Sequence, residues 1–111
     1  MNQNINGNTK VLGLIGNPIE HTISPSIHNL LATKLNINYV YVPFKVDEGM
    51  LDKAIEGARA LNIQGLNVTV PYKEQVMDNL IEITPLAEQI GAVNTLKYTE
   101  SGYVGYNTDA E

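Results

Sequence analysis

The chain has 111 residues and a mass of 12.2 kDa, with 43% hydrophobic and 17% charged residues, which is typical of one folded globular domain. A net charge of −5 and a single arginine, Arg59, argue against a nucleic-acid partner, and the absence of cysteine excludes disulfides and thiolate chemistry. No apolar run reaches the roughly 18 residues of a membrane span, and the N-terminal residues lack the apolar stretch of a signal peptide, so we expect a cytoplasmic protein without membrane partners.

The first elements are a tail, a strand and a helix. Residues 1–9 are polar and rich in asparagine, so we expect them to be flexible and residues 10–111 to form the domain. The apolar run Val11–Gly16 predicts a buried strand. Ser24-Pro25 predicts a helix start with Ser24 as N-cap. The predicted apolar face of this helix consists of Ile27, Leu30, Leu31 and Leu35.

The middle of the chain repeats the alternation of strand and helix. Tyr39–Val46 is rich in β-branched and aromatic residues, and Pro43 places this second strand at an edge or bulge. Asp47 is suited to cap the next helix. Its predicted apolar face consists of Leu51, Ala54, Ile55, Ala58 and Leu61. Gly65–Val70 predicts a third strand, which Pro71 ends.

The last third predicts two helices and a hairpin. We expect a helix over Tyr72–Ile81 and a short helix from Thr84-Pro85 to Ile90. Ala92–Tyr98 and Tyr103–Tyr106 flank a turn and predict a β-hairpin. The alternation of strands and helices predicts a three-layer α/β domain, with a mixed, mainly parallel sheet and helices on both faces.

Four polar clusters lie near predicted strand ends, whereas the usual nucleotide, zinc and hydrolase motifs are absent from the sequence. Ligands of parallel α/β sheets bind at the carboxyl ends of the strands. The clusters span residues 16–29, 67–74, 90–95 and 106–110. Topology alone leaves open whether they converge.

These clusters resemble the motifs of the shikimate dehydrogenase family. Gly16–Pro25, followed by His28-Asn29, is similar to the family's opening motif, and Asn67–Glu74 is similar to its lysine-bearing motif. Gly91–Thr95 and Gly105–Asp109 complete the set in the family's order. The resemblance covers about residues 11 to 110, and four matches in register make it specific.

The resemblance implies the substrate-binding half of an enzyme that interconverts 3-dehydroshikimate and shikimate with NADP, in aromatic amino-acid (chorismate) biosynthesis. In that family a Rossmann-type domain follows and holds the cofactor. We therefore expect a chain that ends at Glu111 to lack cofactor-binding residues and metal sites, and to be inactive alone. NADP against NAD, and the oligomeric state, stay open, with a homodimer as one option.

The resemblance implies that Lys73 and Asp109 are the catalytic residues and also contact the substrate. A lysine beside a helix start is disfavoured by the helix dipole, and a nearby carboxylate offsets this. We expect both groups to flank one substrate oxygen. Which of them transfers the proton stays open, because a close pair titrates jointly.

The remaining substrate-binding residues implied by the resemblance are Thr22, Ser24, Asn67, Thr69 and Asn94. The hydroxyls of Thr22 and Ser24 are expected on the shikimate carboxylate, although the family usually has serine at both positions. Asn67, Thr69 and Asn94 are expected on ring hydroxyls; as an alternative, such residues satisfy loop backbone. The expected roles of His21 and His28 are structural, and that of Tyr72 is packing.

Two other functions remain open. A quinate/shikimate dehydrogenase has nearly the same motifs, but the extra methyl group of Thr22 crowds the end of the pocket where quinate carries an additional hydroxyl. A stand-alone, non-catalytic module that binds a small cyclic acid is the second alternative. A reading frame that continues into a strand and a glycine-rich turn would favour the enzyme.

Overall fold

The computed structural model describes residues 4–110, so residues 1–3 of the predicted tail lie outside the described residues. Residues 6–9 form a turn in which the Thr9 hydroxyl donates to Asn38 Oδ1 at 2.8 Å. The elements are β1 (Lys10–Gly16), α1 (Ser24–Leu35), β2 (Tyr39–Lys45), α2 (Leu51–Ala60), β3 (Gly65–Val68), a 3-10 helix (Gln75–Asn79), β4 (Glu82–Ile83), α3 (Pro85–Ile90), β5 (Thr95–Thr99) and β6 (Gly102–Tyr106).

The six strands form one sheet in the order β2-β1-β3-β5-β6-β4. β5 is antiparallel to both of its neighbours, and the other adjacent pairs are parallel. The prediction of a mixed, mainly parallel sheet is therefore confirmed. The arrangement brings the carboxyl ends of β1, β3 and β6 to the same edge as the amino end of β5. We call this edge, bounded by Gly16, Val68, Thr95 and Tyr106, the site edge.

The hydrophobic core lies between the sheet and a layer formed by α2, the 3-10 helix and α3. Alternate residues of each strand face this layer, as the two-residue period of a β-strand requires. Tyr72 and Tyr103 are the largest fully buried side chains, and their hydroxyls donate to the carbonyls of Val46 and Ile63. Both phenols thus enter the core without an unsatisfied hydroxyl, and Tyr72 packs as predicted.

The predicted apolar face of α1 is exposed. The four apolar residues of that face are between 46% and 63% exposed, whereas Ala32 is 1% exposed. α1 instead packs on β2 through its more polar side: the Asn29 side chain bonds both backbone groups of Tyr41, and the His28 ring stacks on the Tyr41 ring at 4.2 Å. Tertiary hydrogen bonds thus decide which side of this helix faces the sheet.

The predicted helix over Tyr72–Ile81 is also wrong, because backbone pairing with β6 competes with helix formation. The helical part is confined to the 3-10 turn, after which Leu80 is extended. The Ile81 amide donates to the Tyr103 carbonyl at 3.0 Å. Gly102 makes room for this pairing, because a Cβ there would lie 2.6 Å from Ile81 Cγ2. The chain then forms β4 rather than another helical turn.

The short helix α3 and the terminal hairpin agree with the sequence. Thr84 caps α3 by accepting a hydrogen bond from the Ala87 amide at 3.4 Å, and Gly91 ends the helix with φ of 81°. A left-handed residue after the last helical turn is most often glycine, since a side chain is disfavoured there. β5 and β6 pair in antiparallel register around the Glu100-Ser101 turn.

Candidate functional site at one edge of the sheet

Backbone hydrogen bonds join the first and second polar clusters at the site edge. The Thr69 amide donates to the Ile15 carbonyl, and the Asn17 amide donates to the Val70 carbonyl, each at 3.0 Å. Gly16 lies between these bonds, and a Cβ at this position would collide with the Thr69 methyl group. The loop after β1 and the loop after β3 are therefore in direct contact.

Further backbone bonds bring in the third and fourth clusters. The Val93 amide donates to the Lys73 carbonyl at 2.8 Å, which joins the lysine loop to the segment before β5. The backbone carbonyl of Asn94 accepts from the Val68 amide at 2.8 Å, and the backbone amide of Asn94 donates to the Tyr106 carbonyl at 2.9 Å. The structure thus brings all four clusters together, which the sequence had left open.

The start of α1 differs by one residue from the sequence prediction. Ser24 is the first helical residue, and Ile23 occupies the N-cap position without a side-chain cap. The Thr22 hydroxyl oxygen accepts a hydrogen bond from the Ser24 amide at 3.3 Å. The side chain that accepts from a backbone amide at the start of α1 is therefore that of Thr22 rather than that of Ser24. The Ser24 hydroxyl has no partner within residues 4–110, so it is available to a ligand at the positive end of the helix dipole.

Two asparagines at the site edge have ordered side chains. Asn67 Oδ1 accepts from the Tyr41 hydroxyl at 2.8 Å. Asn94 Oδ1 accepts from the Thr95 hydroxyl and from the Thr108 amide, each at 2.9 Å. Among the described residues, the Asn94 amide nitrogen has no partner, so it is a free donor for a ligand oxygen.

The loops that carry Lys73 and Asp109 both contact residues 93–94, just before β5: the Lys73 carbonyl accepts from the Val93 amide, and the Thr108 amide donates to Asn94 Oδ1. Lys73 is half-buried and precedes the short 3-10 helix by two residues, so the helix-dipole argument for its environment does not apply. Asp109 is exposed, in a turn where its amide donates to Asn107 Oδ1 at 3.1 Å. Within the described part of the chain, the ammonium and the carboxylate form no ion pair. Both charges are therefore available to a bound molecule.

Within residues 4–110, neither histidine side chain forms a hydrogen bond with the polar groups of the site edge. His21 is exposed, and the ring of His28 lies flat on Tyr41 with an interplanar angle of 7°. Residues 4–110 contain no group of three or more His, Asp or Glu side chains suited to hold a metal ion. None of the helices in that range is long and apolar enough to cross a membrane.

The site edge does not fit the pyrophosphate of a dinucleotide. The β1–α1 connection, residues 17–23, contains no glycine, although a dinucleotide fold has its glycine-rich turn at this point. The β2–α2 connection carries Asp47 and Glu48, both exposed, whose charges disfavour a phosphate. The side chains predicted for the site, by contrast, carry hydroxyls, amides, one ammonium and one carboxylate, which form hydrogen bonds to hydroxyl and carboxylate groups.

Three further residues take part in the side-chain network of the site edge, and the sequence analysis missed them: Tyr41, Thr95 and Thr108. Tyr41 belongs to β2, 26 residues before Asn67, so no local pattern connects the two. Thr95 directly follows Asn94 within the third motif, and this adjacency is the signal that could have identified it.

Residues 14–96 match the family model described as the shikimate dehydrogenase substrate binding domain. The chain is 52% identical over 105 residues to the shikimate dehydrogenase (NADP(+)) of Thermosynechococcus vestitus, covering 95% of this chain and 37% of that protein. The chain therefore spans little more than a third of the length of the curated relatives it matches.

Solved structures give the same result. A shikimate dehydrogenase crystallised with NADP+ superposes with a TM-score of 0.91 at 50% identity, over 95% of this chain and 37% of that one. The Listeria monocytogenes shikimate 5-dehydrogenase, in complex with shikimate and NAD, gives 0.91 at 38% identity, over 98% and 38% of the two chains. With the family model covering most of the chain and the folds superposing, this protein belongs to the shikimate dehydrogenase family, as its substrate-binding domain.

Proposed function

We propose that this chain binds shikimate and 3-dehydroshikimate and supplies the acid/base groups for their NADP-dependent interconversion. The observation that carries the proposal is the convergence of four separate motif loops at one sheet edge, joined by backbone hydrogen bonds. The relatives that share this domain are named as NADP(+) enzymes, and one solved relative was crystallised with shikimate.

The substrate carboxylate binds at the start of α1 in this proposal. The Ser24 hydroxyl is free within residues 4–110, and the Thr22 hydroxyl still has its hydrogen to donate because its oxygen is the acceptor in the bond from the Ser24 amide. Hydroxyl donors and the positive end of a helix both stabilise a carboxylate. The ring hydroxyls then face Asn67, Thr69 and Asn94 on the next two loops.

Lys73 and Asp109 serve the proton transfer. Reduction of the ketone adds hydride to carbon and a proton to oxygen, so a group able to hold that proton must touch the oxygen. Their two loops both contact residues 93–94, and neither side chain forms an ion pair within residues 4–110. When bound, NADP supplies the hydride; we propose that it is held mainly by residues outside this chain, since residues 4–110 form no cradle for its pyrophosphate.

Direct titration tests the proposal. A ¹⁵N-labelled chain is titrated with shikimate, and chemical-shift changes are expected at the Asn67, Asn94 and Thr108 amides. Asn94→Ala should weaken binding, whereas Lys97→Ala, an exposed residue on β5, should leave it unchanged. Cyclohexanecarboxylate, which keeps the carboxylate but lacks the hydroxyls, should bind far more weakly. Absence of shift changes at millimolar shikimate would contradict the proposal.

Quinate titrated in parallel separates the two substrate classes. We propose that shikimate binds more tightly, because the extra methyl group of Thr22 adds bulk where quinate carries its additional hydroxyl. Thr22→Ser should then narrow the difference between the two ligands. Equal affinities in the unmodified chain would favour the quinate/shikimate alternative instead.

We also propose that the exposed apolar face of α1 pairs with the same face of a second copy. The four residues of this face are exposed by 46% to 63%, and they follow the spacing of helix–helix contacts. They are Ile27, Leu30, Leu31 and Leu35. Light scattering over a range of concentrations should show a dimer, and Leu31→Ser should convert it to a monomer. A monomer at every concentration of the parent chain would contradict this pairing.

A further inference from the structure

A continuous chain of side-chain hydrogen bonds crosses the sheet beneath the site edge. It begins at the Tyr41 hydroxyl on β2, which contacts Asn67 Oδ1 on β3 at 2.8 Å. Asn67 Nδ2 contacts the Thr95 hydroxyl on β5 at 3.5 Å, and that hydroxyl contacts Asn94 Oδ1 at 2.9 Å. The chain ends at Thr108, in the loop that carries Asp109. We call these five residues the amide relay.

The direction of every bond in the amide relay follows from one backbone amide. A backbone N–H can only donate, so the atom of Asn94 that Thr108 N contacts must be the oxygen. That oxygen carries no hydrogen, so the Thr95 hydroxyl must donate to it. Thr95 Oγ1 can then only accept, which turns the nitrogen of Asn67 toward it and the oxygen of Asn67 toward Tyr41.

Tyr41 is suited to the end of this chain. It is 3% exposed, His28 stacks on one face of its ring, and Asn29 bonds its backbone on both sides. Its hydroxyl is protonated at neutral pH, as for any tyrosine, and burial raises the pKa of Tyr41 further, to about 12. Contacts with α1 therefore hold the Tyr41 ring and its hydroxyl group in place.

We propose that Tyr41 is a positioning residue for substrate recognition. Through the amide relay it fixes the orientation of the Asn67 and Asn94 side chains, so that their oxygens are occupied and their remaining N–H groups are free for the substrate. Within residues 4–110, both Asn94 N–H bonds and the second Asn67 N–H bond lack a partner. The two amides therefore act as donors, and the site selects ligands whose hydroxyl oxygens accept. This inference rests on the proposed function for the identity of the ligand.

The experiment has one arm that needs no ligand. In ¹⁵N spectra of the free chain, Tyr41→Phe should shift the side-chain amide signals of Asn67 and Asn94 and the backbone signal of Thr108. Tyr103→Phe is the matched control, because it removes an equally buried phenol whose hydroxyl bonds a backbone carbonyl outside the relay. Unchanged Asn94 and Thr108 signals in Tyr41→Phe would overturn the relay, whatever the ligand.

The second arm measures shikimate affinity. Tyr41→Phe should weaken binding about twofold to tenfold, the change expected for one lost hydrogen bond, and Tyr103→Phe should not. Thr95→Val interrupts the relay at a different strand, so it gives the same test if Tyr41→Phe fails to fold. The double variant, with both Tyr41→Phe and Thr95→Val, should bind shikimate no more weakly than the single variant of lower affinity, because both substitutions interrupt the same amide relay. Additive losses of affinity in the double variant, or full affinity in both single variants, would overturn the inference. If the parent chain binds no shikimate, the proposed function is contradicted, and the ¹⁵N spectra of the free chain alone test the amide relay.

Discussion

The methyl group of Thr69 occupies the space that a side chain at position 16 would need. Gly16 is the last residue of β1, and Thr69 is the first residue beyond β3, so this contact sets the distance between the loop after β1 and the loop that carries Lys73. The backbone bond from Thr69 to Ile15 holds the two segments together at the same point.

Gly16→Ala should therefore destabilise the domain. An added methyl group must displace Thr69 and also lies 3.1 Å from the Val70 carbonyl oxygen, and overpacking of this kind costs about 1–3 kcal/mol. Urea unfolding measures the loss. Gly57→Ala is the matched control: Gly57 lies in α2 with nothing within 4 Å of the added methyl, so this variant should gain about 0.5–1 kcal/mol. Equal stability of the two variants would refute the contact.

The start of α1 gives a prediction that separates binding from folding. Ser24→Ala should weaken shikimate binding and change the free energy of unfolding by less than about 0.5 kcal/mol, since its hydroxyl has no partner within residues 4–110. Thr22→Val removes the acceptor of the Ser24 amide and should cost about 0.5–2 kcal/mol. Thermal unfolding and titration of both variants check this. A larger loss of stability in Ser24→Ala than in Thr22→Val would reverse the assignment.

Lys73 is best tested in a hybrid enzyme in which this chain replaces the matching 105 residues of the Thermosynechococcus relative. Lys73→Met should lower kcat about 10²- to 10⁴-fold with a small change in KM, because proton transfer acts on the chemical step. Lys97→Met changes an exposed lysine on β5 and should leave kcat unaltered. Normal turnover of the Lys73 variant would exclude its catalytic role.

Two buried tyrosines predict loss of stability at alkaline pH. Burial raises the pKa of Tyr41 to about 12; burial also raises that of Tyr103 to about 12, with Tyr98 adding to the effect and Arg59 opposing it. In the unfolded chain these hydroxyls ionise near the ordinary value of 10, so their contribution is intact below pH 10 and is lost as the pH rises to 12.

Each of these tyrosines steepens the alkaline fall in unfolding free energy by up to about 1.4 kcal/mol per pH unit between pH 10 and 12. Urea unfolding across this range should show a shallower fall in Tyr41→Phe and in Tyr103→Phe than in the parent chain. Tyr39→Phe, which removes a partly exposed phenol whose hydroxyl bonds the His28 carbonyl, serves as the comparison. Parallel curves for all four proteins would contradict the prediction.

Local chemistry explains which elements could be predicted from the sequence. Thr84-Pro85 and Gly91 act on their own helix ends, so α3 was predicted with its observed bounds. The hairpin was predicted for the same reason, since its turn lies between its own two strands. In contrast, the packing of α1 depends on the bonds from Asn29 to Tyr41, and the formation of β4 depends on pairing with β6. Both are contacts between residues distant in sequence, so no local sequence pattern predicts them.

The same division applies to the candidate site. The motifs identified the residues of each loop, because each motif is contiguous in sequence. The bond from Tyr41 to Asn67 joins residues 26 positions apart on strands that are not neighbours, so only the folded sheet shows it. The absence of an ion pair between Lys73 and Asp109 within the described residues is likewise a property of loop geometry.

The reversed direction of β5 separates the hairpin turn from the polar clusters. Glu100 and Ser101 lie at the end of the sheet opposite the site edge, and a five-residue strand at about 3.3 Å per residue places them roughly 17 Å from Thr95. The turn is exposed, and its backbone is contacted by Arg59 through one bond to the Glu100 carbonyl. A peptide tag or a fluorescent reporter inserted between Glu100 and Ser101 can thus be carried without entering the proposed ligand site, which makes this turn a suitable attachment point for immobilising the domain on a sensor surface.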